Sequence, residues 1–222
     1  MLLIIGLPAL LFTALTGRRE RMYPLALWGA RKWLAACGAS VRVVGVEHIE
    51  PDTSYVFASN HRSYLDTAAI FAYAGPRIGL VAKKELLKVP VLGQGMSFVN
   101  VIAIDRSNAE RARQSMQEAR EVVKSGYSFG VFVEGTRAMP GELLPFKKGA
   151  FHLALQTGSP IVPVVIRNTD RMMGKHTGVA FPGTIEMVLC PPIPTEGKTA
   201  DDVMEVLLAT RNAISSELEK ET

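Results

Sequence analysis

Six short, nearly unbroken apolar runs constrain this chain more than any other feature of its sequence: VRVVGV, SYVFAS, IGLVA, VIAI, SFGVFV and IVPVVI. Segments of helical spacing separate several of them. Strands that are apolar on both sides, alternating with helices, predict an α/β fold with a mostly parallel central sheet flanked by helices. The clearest helical segment is NAERARQSMQEAREVVK, which places Ala109, Ala112, Met116, Ala119 and Val123 on one face. Ser107 and Glu110 form a capping box at its start, and Gly126 stops it. A last helix from about residue 200 to 219 turns Val203, Val206, Leu207, Ile214 and Leu218 inward. Before it, VAFPGTIEMVLC reads as an added strand or a hairpin turning at Pro182-Gly183. A chain of 222 residues accommodates this sheet as one domain without disulfides or metal.

The N-terminus has a different composition. Residues 1 to 17 carry no charged side chain, and RRER follows at once. Pro8 and Gly6 interrupt the run, which falls short of the roughly 20 apolar residues of a spanning helix. Its positive charges follow it, unlike those of a secretory signal. In the next stretch Tyr23, Trp28 and Trp33 are interleaved with Arg21, Arg31 and Lys32, a mixture suited to the headgroup level of a bilayer. Residues 1–38 are therefore expected to form a two-helix membrane-anchoring hairpin, dipping into one leaflet or barely crossing it, with the α/β domain at 39–222. An ordinary buried helical hairpin is the alternative that periodicity leaves open. The basic excess from Arg18 to Lys32 would hold the domain at the cytoplasmic face of the cell membrane. The mean hydropathy of +0.16 agrees with membrane contact, and the net charge of +4 favours anions of any kind. Cys37 and Cys190 stand alone, and His48, His152 and His176 show no ligand spacing, so no metal site is expected.

In open α/β sheets ligands gather at the carboxyl ends of the strands. SYVFAS is followed by Asn60-His61 and then Asp66; VIAI by Asp105-Arg106; SFGVFV by Glu134-Gly135-Thr136-Arg137. On a regular helix five residues separate two side chains by about 140°, so His61 and Asp66 can meet only if His61 lies on the turn and Asp66 in the helix after it. The carboxylate would then fix one imidazole nitrogen and leave the other as a base. The spacing alone is weak evidence, because a hydrogen-bonded turn would show it too. In EGTR the glycine permits a tight turn, Thr136 can donate to an oxyanion, and Arg137 presents a planar fork suited to phosphate. Arg106 is a second cation, and Lys83 a plausible third. The pairs Lys83-Lys84 and Lys147-Lys148 otherwise read as solvated faces.

Together, NHRSYLD and FVEGTR resemble the glycerolipid acyltransferases, in particular the 1-acylglycerol-3-phosphate acyltransferases, with their N-H-x-x-x-x-D and E-G-T-R blocks. IDR at Ile104 to Arg106 and VPVVI at Val162 to Ile166 look like two further blocks of that family, so the resemblance runs over about residues 56 to 166. The chain departs from the pattern at Asn100 and Val101, where family members often carry glycine. The resemblance implies an acyl thioester donor, either acyl-CoA or acyl-ACP, used as a co-substrate with no cofactor. It also implies a lysophospholipid acceptor at the lipid bilayer, phosphatidic acid as product, and no nucleic acid partner. His61 would be the catalytic base and Asp66 its orienting acid. Arg106 and Arg137, with Lys83, would bind the acceptor phosphate in a pocket shaped by Glu134, Gly135 and Thr136.

Other readings stay open on the residues themselves. Within the same class the acceptor could instead be glycerol 3-phosphate or a lyso-aminolipid. A serine lipid hydrolase or thioesterase could use Ser63, or the serine of GMSFV, where Val99 stands in place of the second glycine of a nucleophile elbow. A noncatalytic lipid-binding protein would use the cations and leave His61 and Asp66 without a purpose.

Overall fold

A computed structural model describes residues 23–75, 77–83, 102–104 and 109–220. Among these, seven strands form one sheet in the order β1-β7-β6-β2-β5-β3-β4. They are β1 (Ala39–Val44), β2 (Val56–Ser59), β3 (Ile78–Lys83), β4 (Ile102–Ile104), β5 (Ser128–Phe132), β6 (Ile161–Arg167) and β7 (Gly183–Leu189). The helices are α1 (Tyr23–Ala36), α2 (Tyr64–Tyr73), α3 (Ala109–Lys124), α4 (Gly149–Thr157), the single turn α5 (Thr169–Met172), and α6 (Val203–Glu219).

Each of the six apolar runs yields a strand. The block β6-β2-β5-β3-β4 is wholly parallel, as expected of runs buried on both faces. The sheet as a whole is mixed, because β7 pairs antiparallel with β6 and parallel with β1. VAFPGTIEMVLC thus supplies one strand beginning at Gly183, and no hairpin. Pro163 is tolerated inside β6 because it lies opposite Cys190, where the β6–β7 ladder ends and a missing N–H costs one terminal bond.

Successive residues of β2 serve two cores. Phe57 points into a layer with Leu65, Ile70, Val164, Ile166 and Met187, covered by α1 and α2. Val56 and Ala58 point into the other, with Phe129, Phe151, Val165, Val206 and Ile214, under α3, α4 and α6. Burying a phenylalanine such as Phe57 or Phe129 contributes about 2–3 kcal/mol. Gly130 lets α2 settle close on β5, since a Cβ there would come within 2.6 Å of Ile70 Cγ2. This seating packs the second half of α2 against the middle of β5.

Of the expected N-terminal hairpin, residues 1–22 lie outside the described residues. The part that is described, α1, packs on the α/β layer: Leu34 is buried, Tyr23, Ala26, Leu27 and Ala30 line the first core, and the Tyr23 hydroxyl bonds the backbone of Ile78. Trp28 and Trp33 stay exposed on its outer side. No helix among the described residues is long and apolar enough to cross a membrane.

Candidate active site

The parallel block brings the carboxyl ends of β2, β5, β3 and β4 side by side on one edge, and with them the described segments that begin at Asn60 and Val133. At the end of β2, Asn60 is buried and continues the ladder with its side chain. Its Nδ2 donates to Ile166 O at 2.9 Å, and its Oδ1 accepts from Ile166 N at 2.8 Å. The chain then turns through His61 to Ser63, the N-cap of α2. The Ser63 hydroxyl accepts from Leu65 N, and the Asp66 side chain reaches back to Ser63 N, completing a capping box.

Asp66, fully buried, turns this cap into a binding site for the histidine. Its Oδ2 accepts from His61 Nδ1 at 2.8 Å, Arg62 N at 2.7 Å and Ser63 N at 2.8 Å. An oxygen already facing two N–H donors leaves Nδ1 only the donor role. Neutral His61 therefore carries its lone pair on Nε2. No described residue bonds Nε2, and 15% of the side chain is exposed. The ring plane is fixed by Phe132, the last residue of β5, which stacks on it with centroids 3.8 Å apart and planes 14° from parallel.

The EGTR segment holds the same histidine by its backbone. Glu134 Oε1 accepts from His61 N at 2.8 Å, and Ala138 N donates to His61 O at 2.8 Å. Glu134 Oε2 accepts from Leu144 N at 2.7 Å. Burial pushes the Glu134 carboxyl up from its ordinary value, against the opposing pull of those two backbone donors and of the nearby His61 and Arg62. Its two oxygens are thus committed to the protein, which suits a residue that shapes a pocket. Gly135 makes the turn with φ 74°, a conformation few other residues adopt. Thr136 is exposed. Arg137 lays its guanidinium 3.9 Å over the Tyr64 ring, and its Nη1 is buried with no hydrogen-bond partner among the described residues.

Lys83 closes β3 opposite Ile104 of β4, with its side chain outside what is described. Arg106, two residues past β4, also lies outside the described residues, as do Ser107, Asn100, Val101 and the GMSFV segment. Ser63 is buried, and its hydroxyl donates to Met173 O at 2.6 Å, so it is a structural cap with no access to a substrate carbonyl. His48 bonds the Leu189 carbonyl, while Lys147 and Lys148 are exposed. Among the described residues no group of three or more His, Cys, Asp or Glu could hold a metal ion. Two residues beside the dyad escape sequence reasoning. Phe132 acts across the β2–β5 pairing, and Tyr64 acts through a residue 73 positions away; neither partner is visible from spacing.

The family model described as Acyltransferase matches residues 40–167. The chain belongs to the acyltransferase family. It is 40% identical over 180 residues to an uncharacterised acyltransferase of Schizosaccharomyces pombe, covering 80% of this chain and 64% of that protein. It is 38% identical over 187 residues to a 1-acyl-sn-glycerol-3-phosphate acyltransferase of Limnanthes douglasii, covering 84% of this chain and 65% of that one. With the human 1-acyl-sn-glycerol-3-phosphate acyltransferase alpha it shares 39% identity over 167 residues, 75% of this chain and 59% of the relative. The chain thus spans somewhat less than two thirds of the length of these curated relatives. Its fold is similar to the crystal structure of the 1-acyl-sn-glycerophosphate (LPA) acyltransferase PlsC of Thermotoga maritima, with a TM-score of 0.80 and 25% identity, covering 96% of this chain and 87% of that one. The matched region holds His61, Asp66 and the EGTR turn, together with β2 and β5, whose ends lead into them.

Proposed function

We propose that the protein moves a fatty acyl group from an acyl thioester to the free hydroxyl of 1-acyl-sn-glycerol 3-phosphate, giving phosphatidic acid. The observation that carries this reading is His61, whose Nδ1 is committed to Asp66 and whose Nε2 no described residue bonds. The relatives named as 1-acyl-sn-glycerol-3-phosphate acyltransferases support the choice of acceptor.

His61 Nε2 takes the proton of the acceptor hydroxyl as its oxygen attacks the thioester carbonyl. Asp66 stabilises the imidazolium so formed. The tetrahedral oxyanion collapses, the C–S bond breaks, and the departing thiolate takes the proton back from Nε2. An ester and a free thiol result, with no covalent enzyme intermediate. The thioester supplies its own leaving group, so the reaction needs neither cofactor nor metal. Arg137, joined by Arg106 and Lys83, holds the acceptor phosphate, while Glu134, Gly135 and Thr136 shape that side of the pocket. The donor is carried by coenzyme A or acyl carrier protein.

A one-chain lipid acceptor resides in the bilayer, so the site works at the cytoplasmic face of the membrane, anchored through residues 1–38. The outward Trp28 and Trp33 of α1, beside exposed Arg31 and Lys32, support contact at headgroup level. The test is an acceptor panel of lysophosphatidate, glycerol 3-phosphate and a lyso-aminolipid with the full chain in lipid, scored by product mass. Lysophosphatidate is the expected acceptor, and His61→Ala abolishes transfer to it. Undiminished turnover in that variant, or a preference for an acceptor without phosphate, overturns the reading. Arg137→Ala raises the acceptor KM and leaves the donor KM alone.

A further inference from the structure

We infer that Tyr64 is a positioning residue for the guanidinium of Arg137 and through it sets the affinity for a phosphate-bearing ligand; this rests on the reading of Arg137 as a phosphate ligand given above. Tyr64 is 52% exposed at the first position of α2. Its hydroxyl has no hydrogen-bond partner among the described residues, so whatever it contributes comes from the ring face. On that face lies Arg137, 3.9 Å from the centroid.

The kind of support matters to what the arginine can do. A carboxylate partner would fix the guanidinium and also neutralise it. An aromatic face attracts the cation through its quadrupole and leaves the planar edge with its N–H donors open. Arg137 makes no ion pair among the described residues, and its buried Nη1 has no hydrogen-bond partner there, so no protein acceptor competes for the guanidinium. Holding the long side chain against Tyr64 also removes rotamer freedom before a ligand arrives, so less is lost on binding.

The first turn of α2 thereby places two groups at once. Tyr64 and Asp66 are two positions apart, about 200° around the helix, so they point to opposite sides. Asp66 faces inward and orients His61, while Tyr64 faces outward and orients Arg137. Base and cation are set by one cap.

The experiment measures binding of glycerol 3-phosphate, by calorimetry on the full chain in lipid or detergent, alongside steady-state acyl transfer to lysophosphatidate. Tyr64→Leu weakens glycerol 3-phosphate binding and raises the lysophosphatidate KM by about fivefold, with kcat little changed. Tyr64→Phe, which keeps the ring, restores both to within about twofold. In an Arg137→Ala background Tyr64→Leu adds nothing further, because the group it positions is gone. A Tyr64→Leu protein that binds the probe as wild type does, or one whose effect persists without Arg137, overturns the inference. If the wild type binds the probe through Arg137 and Tyr64 yet acylates no phosphate acceptor, the proposed reaction fails and the positioning role stands.

Discussion

Glu134 and His61, 73 residues apart in the chain, are joined by a 2.8 Å hydrogen bond from the histidine's backbone N–H to the carboxylate. The same carboxylate holds Leu144 N, and Arg211 of α6 donates to the carbonyls of Leu143 and Leu144 from the other side. The two sequence blocks are therefore one mechanical unit, with Glu134 as the rivet. Both its oxygens accept from N–H groups, so Glu134→Gln must turn an amide NH2 toward one of two donors. Orphaning one of these costs about 1–3 kcal/mol. Glu134→Gln should lower kcat roughly tenfold through misplacement of His61, and should lower Tm, with a smaller effect on acceptor KM. Kinetics combined with thermal melts check it; unchanged kcat with a lowered Tm would reduce Glu134 to a purely structural residue.

The burial of Glu134 also gives its stability contribution a sign. The folded carboxyl holds its proton more tightly than the unfolded chain, where the ordinary value is 4.5. Its contribution is therefore fully present below pH 4.5 and is lost as the pH rises through the raised folded value. Glu134→Gln has no proton to lose there. The Tm difference between wild type and Glu134→Gln should be largest in acid and shrink toward neutrality; a gap that widens with pH would contradict the assigned cause.

The sequence carries the site's local half and conceals its long-range half. His61 and Asp66 lie within one turn and one helix cap, so their meeting follows from the geometry of a strand end. The seven strands were legible as apolar runs, apart from the choice between strand and hairpin at 179–190. Their order was not, because a run buried on both faces fits beside any other such run. Phe132 reaches His61 only because β5 lies next to β2 with Ser59 opposite Phe132. The reversal of β1 and β7 is hidden because exposure alternates along both strands, a pattern that either direction of pairing satisfies. Glu134 belongs to the EGTR block, but its grip on His61 depends on that same pairing.

Asp66→Asn tests charge separately from geometry. The site of Oδ2 faces three N–H donors, while Oδ1 is buried with no partner among the described residues. The asparagine carbonyl oxygen should therefore take the Oδ2 position and keep His61 in place with its proton on Nδ1. What is lost is the negative charge that, in the proposed mechanism, stabilises the imidazolium. Transfer should slow by roughly 100-fold or more, with acceptor KM little changed. A crystal structure or histidine NMR shifts of the variant would show the retained tautomer. Near-normal kcat with that geometry would mean that Asp66 serves as a cap alone.

Asn60 makes the complementary prediction, of a residue whose loss is felt first in stability. Its amide satisfies both the N–H and the C=O of Ile166, deep between β2 and β6, at 2.8 and 2.9 Å. Asn60→Ala leaves both groups buried without partners, at a cost of about 2–4 kcal/mol. Asn60→Asp keeps the acceptor for Ile166 N but sets a carboxylate oxygen against the Ile166 carbonyl, so it should be at least as damaging. The residue also sets where the chain leaves β2, one position before His61. Activity should therefore fall in both variants even at temperatures where they remain folded. Chemical denaturation and kcat measured on the same preparations check the pairing of effects. Full stability in Asn60→Ala would mean that water or a shifted strand replaces the amide.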